Sequence, residues 1–126
     1  MAVQGVLTLN TKAYNPRGKT GDVALWALVG DTSFGGATST VDESVRGPTK
    51  DGLYRSKFQV KIPKAATSDT SCACTGQEIA RGLANIEMVI PSAFTAAERD
   101  DFTKRVQALV AHAVFTSAAT NLESSW

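Results

Sequence analysis

At 126 residues, with 43% hydrophobic and 20% charged side chains, the chain has the size of one globular domain and is too apolar for a disordered tail. A formal net charge of +1 excludes an indiscriminate polyanion binder. No apolar run approaches the roughly 20 residues a membrane helix needs. The charge is unevenly spread: Lys50, Arg55, Lys57, Lys61 and Lys64 are set against one acid, Asp51, while Asp42, Glu43, Glu98, Asp100, Asp101 and Glu123 lie elsewhere.

The opening MAVQGVLTLN has no basic segment ahead of an apolar one, so it is not expected to be a secretory signal, and synthesis in the cytoplasm follows. Within it, VLTLN places Leu7 and Leu9 on one face of a strand. Asn15-Pro16 and two glycines make AYNPRGKTGD a turn-rich stretch. VALWALV (Val23 to Val29) is a short continuous apolar run, which fits a buried strand, and GDTSFGG after it is a loop. TSTVDESVR alternates, with Val41, Glu43 and Val45 on one side and Asp42, Ser44 and Arg46 on the other. GPTKDG turns the chain into YRSKFQVKIP, the clearest strand. Phe58, Val60 and Ile62 share one face, and Arg55, Lys57, Gln59 and Lys61 share the other.

Residues 64–77 are small and polar, hence a loop. IARGLANIEMVIP then sets Ala84, Ile86, Met88 and Ile90 against Arg81, Leu83, Asn85 and Glu87. Here the period changes. Thr95 and Glu98 form a capping box, and Phe102, Val106, Leu109 and Ala113 make a stripe at helical spacing that carries His112 on the same helix. FTSAATNLESSW predicts a weaker second helix with Phe115 and Leu122. Strands followed by helices make an α+β layout in which an antiparallel sheet is covered on one face by helices. Those helices are short for such a sheet, and Phe115 and Trp126 are large apolar groups for a small monomer. An intertwined dimer, each subunit's helices on the other's sheet, solves that packing.

No nucleophile–base pair, phosphate loop or carboxylate dyad stands out, so an enzyme is not expected. Metal and cofactor are not expected either, since two thiols and a distant His112 fall short of a zinc pattern. Cys72 and Cys74 are one residue apart. A bond between them would close a strained ring, and on an extended chain both point the same way. The thiols are either incidental or face thiols on other copies. A strand face of Arg55, Lys57, Gln59 and Lys61 is ordinarily just solvated surface. Beside Ser44, Arg46, Asn85 and Glu87 on neighbouring strands it becomes a mixed platform, with cations for phosphates and hydroxyl and amide groups for base edges. Arg81 is as readily a structural ion-pair partner as a ligand for RNA.

RGLANIEMVIP resembles the last sheet strand of the coat proteins of single-stranded RNA bacteriophages, through Arg81, Asn85, Ile86, Glu87, Met88, Ile90 and Pro91. NPRG, SVR and KFQVKIP resemble further pieces of that family, in order and over most of the chain, and the two-cysteine loop gives it an allolevivirus-like flavour. The resemblance implies one coat-protein domain over residues 1–126: an N-terminal hairpin, a five-stranded antiparallel sheet and two C-terminal helices interlocking with a partner in a homodimer. It implies an icosahedral shell of T = 3 type, a place in the virion and no membrane partner. It also implies a single-stranded RNA genome on the inner sheet face and repression of replicase translation through an RNA hairpin.

By the same resemblance Ser44, Arg46, Arg55, Lys57, Gln59, Asn85 and Glu87 match RNA-face positions, to which the charged strand adds Lys61. Cys72 and Cys74 match cysteines that link subunits at symmetry axes, although their spacing is shorter than in the family. Leu83 stands where an aromatic residue stacks on a base, and Gln59 where a basic residue is expected. Two rivals are a sheet-based RNA-binding module that does not assemble and a small ligand-binding or catalytic α+β domain. The first differs in forming no particle; a polar cluster outside the strand face, which the second needs, is missing from the sequence.

Overall fold

Strand alternation and tight turns build most of the molecule. Six strands follow one another in a curled antiparallel sheet: β1 (Leu7–Leu9), β2 (Lys12–Thr20), β3 (Val23–Leu28), β4 (Thr40–Arg46), β5 (Leu53–Ala65) and β6 (Glu78–Pro91). They are followed by α1 (Ala96–Ala111), α2 (Ala113–Thr116) and a π-helical turn, Ser117–Asn121. The structure, a computed structural model, describes residues 4–29, 38–65 and 78–125. Cys72, Cys74 and Trp126 lie outside the described residues, as does most of the loops expected at 30–36 and 64–77. The chain divides into two compact units, Met1–Val89 and Ile90–Trp126.

In the first unit, sheet order equals chain order, so each strand neighbours the next. The expected hairpin beside a five-stranded sheet is instead continuous with that sheet. Tyr14 of β2 pairs with Leu7 on one side and Leu28 on the other, making six strands in one sheet. The turn-rich reading of AYNPRGKTGD gives way to strand β2. Pro16 is tolerated there because β1 pairs only as far as Tyr14, which leaves the sheet edge open alongside Pro16. The register slips between Pro16 and Lys19, where Gly18 takes φ 89°. Gly21, at φ 60°, opens the two-residue loop that joins Thr20 to Val23.

Tyr14, Trp26 and Val41 form the buried centre, packed by Leu7, Ala24, Leu28 and Val60. Its polar atoms are satisfied. Trp26 Nε1 donates to Gly5 O at 2.7 Å. Ser39 Oγ donates to Lys61 O at 2.9 Å, so the Tyr14 hydroxyl, 2.9 Å from Ser39 Oγ, donates to it. This relay ties β2 and β5 together through the residue that precedes β4.

In the second unit the expected capping box is present. Thr95 Oγ1 accepts from Glu98 N at 3.3 Å, and Glu98 Oε1 accepts from Thr95 N at 3.4 Å. Phe94 and Phe102 meet with ring centroids 6.3 Å apart. His112 is not within a continuous helix. It is extended, at φ −78° and ψ 152°, and ends α1; its Nδ1 accepts from Val114 N at 3.1 Å and so caps α2. The second helix is correspondingly short, and it passes through the π-helical turn to Leu122 in the left-handed region.

The β1–β2 loop contains strain. Leu9 pairs with Lys12, and both intervening residues, Asn10 and Thr11, have positive φ of 48° and 64°. Asparagine accepts that region readily, whereas a β-branched threonine does not. Thr11→Gly is therefore expected to raise stability by about 0.5–1 kcal/mol, relief of strain outweighing the extra unfolded-state entropy. The midpoint of urea unfolding measures it, and an unchanged or lower midpoint would refute the strain.

Candidate nucleic-acid interface

The β3–β4–β5 registers decide which side chains share the face opposite the aromatic core. Val23 pairs with Ser44 and Ser44 with Lys57; Leu25 pairs with Asp42 and Asp42 with Gln59; Arg46 pairs with Arg55. Three cross-strand rows result. Ser44, Arg46, Arg55, Lys57, Gln59 and Glu87 line one open concavity of about 410 Å³, together with Asp42 and Val23.

Arg46 directly opposite Arg55 sets like charges side by side, which is unfavourable in a sheet. Glu87 of β6 relieves it: its Oε1 accepts from Arg55 Nη1 at 2.7 Å. Among the described residues, Arg46, Lys57 and Lys61 have no ion-pair partner. Gln59 Nε2 donates to Asn85 Oδ1 at 2.9 Å, which orients both amides and leaves the Gln59 carbonyl oxygen and the Asn85 amino group available for other partners. Asn85 thus joins the site through Gln59 without lining the concavity. Lys61, two residues further along β5, is outside it and pairs with Thr40. Arg81 pairs with Glu78 on its own strand, the structural alternative of its two readings. Leu83 is exposed on β6.

Asp42 was missing from the sequence-based site. Its alternation with Ser44 and Arg46 puts it on this face. Its Oδ1 is buried without a hydrogen-bond partner. Leu25 on β3 and Gln59 on β5 are its register partners. A buried acceptor without a donor costs roughly 1–3 kcal/mol.

Among the described residues no group of acidic, histidine or cysteine side chains could hold a metal ion. What the face offers is unpaired cations beside oriented amides, a hydroxyl and two acids, Asp42 and the paired Glu87, in one open concavity.

A family model described as Levivirus coat protein matches residues 5–126. The chain belongs to the levivirus coat protein family. This levivirus coat protein is thus a structural protein of a phage capsid rather than an enzyme. Solved structures share its fold. The capsid protein of bacteriophage GA superposes with a TM-score of 0.78 at 16% identity, over 99% of this chain and 98% of that one. The virus-like particle of Beihai levi-like virus 21 gives 0.80 at 15% identity, over 96% and 94%. That of bacteriophage ESE058 gives 0.76 at 14% identity, over 100% and 99%. No curated protein sequence matches the chain.

The coat protein's Arg55–Glu87 pair is about half exposed, with side-chain accessibilities of 49% and 43%, so solvent screens it. Glu87→Gln is expected to shift unfolding free energy by less than about 1 kcal/mol. A loss of several kcal/mol in chemical denaturation would mean that the pair holds β5 to β6 and does more than balance the charge of Arg55.

Proposed function

We propose that this coat protein forms a homodimer that assembles into an icosahedral shell of T = 3 type, its polar strand face inward on the single-stranded RNA genome, and that the same face binds an RNA hairpin to repress replicase translation. On this reading the two compact units act as one coat-protein domain. The observation that carries the RNA assignment is the pair of unpartnered cations, Arg46 and Lys57, in one groove with Ser44 and the bonded amides of Gln59 and Asn85. Cations set register on phosphates, and the neutral groups read bases. Lys61 extends the cationic track along β5, and Arg55, shared with Glu87, contributes less.

Dimerisation is supported by what a lone chain leaves uncovered. β6 is 14 residues long and ends the sheet, so among the described residues one row of its backbone groups has no strand to pair with. Long open edges carrying apolar residues, here Ile86 and Val89, pair with another chain unless covered. α1 has no buried residue, and Leu109 of its apolar stripe is 58% exposed. A second copy meets both needs at once. The purified chain is expected to sediment as a dimer or a shell and to form particles containing host RNA when expressed alone. A stable monomer at micromolar concentration overturns this.

For RNA, Arg46→Ala or Lys57→Ala is expected to weaken binding to all sequences and to shallow the log–log salt dependence by roughly 0.7–0.9 each, the counterions released at one phosphate. Filter binding over a salt series measures it. Unchanged affinity and slope in both variants would reduce the face to solvated surface.

The link between subunits through Cys72 and Cys74 is supported by sequence alone. Oxidised shells are expected to run as pentamer and hexamer ladders on non-reducing gels and to collapse with reductant. Monomer bands only would make the thiols incidental.

A further inference from the structure

The sheet has two edges, and they are built differently. β6 ends it with 14 residues and exposes Ile79, Leu83, Ile86 and Val89. At the opposite end β1 is three residues long and covers β2 only from Lys12 to Tyr14. Among the described residues, 15–20 of β2 form the rest of that edge, and all of them are exposed. Several features of this stretch work against strand pairing. Pro16 has no N–H to give. The register slips between Pro16 and Lys19, so the backbone does not present an evenly spaced ladder. Gly18 holds φ 89° at the slip, and a Cβ there would meet nothing within 4 Å, so glycine is required by backbone angle and not by room. Arg17 and Lys19 flank it, and neither has an ion-pair partner among the described residues.

The slip is supported from within the sheet. It leaves Leu25 of β3 without a register partner on β2, and Gln4 Nε2 donates to the Leu25 carbonyl at 2.7 Å. Beside it, Gly5 O accepts from Trp26 Nε1. The segment ahead of β1 thus anchors the bulge, which is a built feature and not a frayed strand end.

We propose that Pro16, Arg17, Gly18 and Lys19 guard the β2 edge against a second copy of this chain, so that association through strand edges is confined to β6. This rests on the reading that the chain associates with itself, and it names the surface from which that association is barred. Two faulty contacts are at stake. A β6 edge laid on the β2 edge of another copy is head-to-tail, so every copy keeps one edge free and the series does not close. In a dimer that has used both β6 edges, the β2 edges are the ones left over, and pairing between them links dimers into filaments. Arg17 and Lys19 of two copies then meet with like charge, which disfavours the pair. Proline, a bulge and charged side chains make an edge a poor template for another strand, and a closed assembly needs both contacts suppressed.

The test uses the full chain, followed by sedimentation velocity, electron microscopy and hydrogen exchange. Pro16→Val, Arg17→Thr and Lys19→Val together are expected to turn closed assemblies into open-ended filaments, and the backbone amides of residues 15–20 are expected to gain protection as filaments form. Arg17→Thr with Lys19→Thr touches only exposed side chains and leaves the proline and the slip in place; it is expected to give the same filaments more slowly. Arg17→Glu with Lys19→Glu keeps the edge like-charged and is expected to assemble as the wild type does. Filaments from the glutamate variant, or no filaments with protected residues 15–20 from either neutral variant, overturn the proposal. If the wild type is a stable monomer, the dimer reading fails, whereas head-to-tail filaments from the neutral variants still uphold the guard.

Discussion

The pairing of β4 with β5, from Thr40 opposite Lys61 to Arg46 opposite Arg55, is the constraint on which the rest of the molecule depends. Strand side chains alternate with a period of two, so a slip of one residue would send Arg55, Lys57 and Gln59 to the core side and Phe58 and Val60 to the groove. Three features hold the register. Val41 meets Val60 in the packed layer. Ser39 Oγ bonds Lys61 O just before β4 begins. At the other end the connection closes on itself, Gly52 N donating to Thr49 O at 2.9 Å and Thr49 N to Leu53 O at 3.0 Å, with Gly52 at φ 71°. A polar face can be crowded with cations because its back is fixed in this way.

The two faces meet opposite requirements with the same strands. On one, Tyr14, Trp26 and Val41 are dry, and each polar atom among them has a partner. On the other, charge is deliberately left over. The Arg46–Arg55 juxtaposition would be unfavourable on its own. Glu87 arrives from β6 to offset it, which leaves Arg46 and Lys57 with unspent charge. Gln59 and Asn85 bond to each other, so their remaining donors and acceptors point in defined directions and need not search for partners.

Apolar surface is distributed unusually for so small a protein. Only Tyr14, Trp26, Ala27 and Val41 are buried hydrophobic residues among those described, while Ile62, Ile86, Leu109 and Phe115 stay exposed. The capping box, the Phe94–Phe102 contact and the Asp100–Lys104 and Asp101–Arg105 pairs keep α1 helical locally. Helices of this length gain most of their stability from packing an apolar stripe, and local terms of a few tenths of a kcal/mol each do not replace it. A coat protein has use for such a surface, since its stability and its assembly then draw on the same residues.

The sequence by itself determined the strands with clean alternation, β4, β5 and β6, and the start of α1, because period-two patterning and the Thr95–Glu98 box are local signals. It also determined which of Ser44, Arg46, Arg55, Lys57, Gln59, Lys61, Asn85 and Glu87 share a strand face. It did not show β2 as a strand, because Asn15-Pro16 and two glycines read as a turn, and only the absence of a β1 partner beyond Tyr14 makes Pro16 acceptable there. Nor did it show the break at His112, where a side-chain cap replaces helix continuity that the apolar stripe had suggested. Tertiary structure alone decided which polar residues meet across strands. Register set Arg46 against Arg55, gave Glu87 to Arg55 and not to Lys57, left Lys61 outside the groove, and set Asp42, one of whose oxygens is buried, opposite Leu25 and Gln59. Alternation along a strand names a face, but distances between strands depend on pairing, and pairing is not written in any one strand.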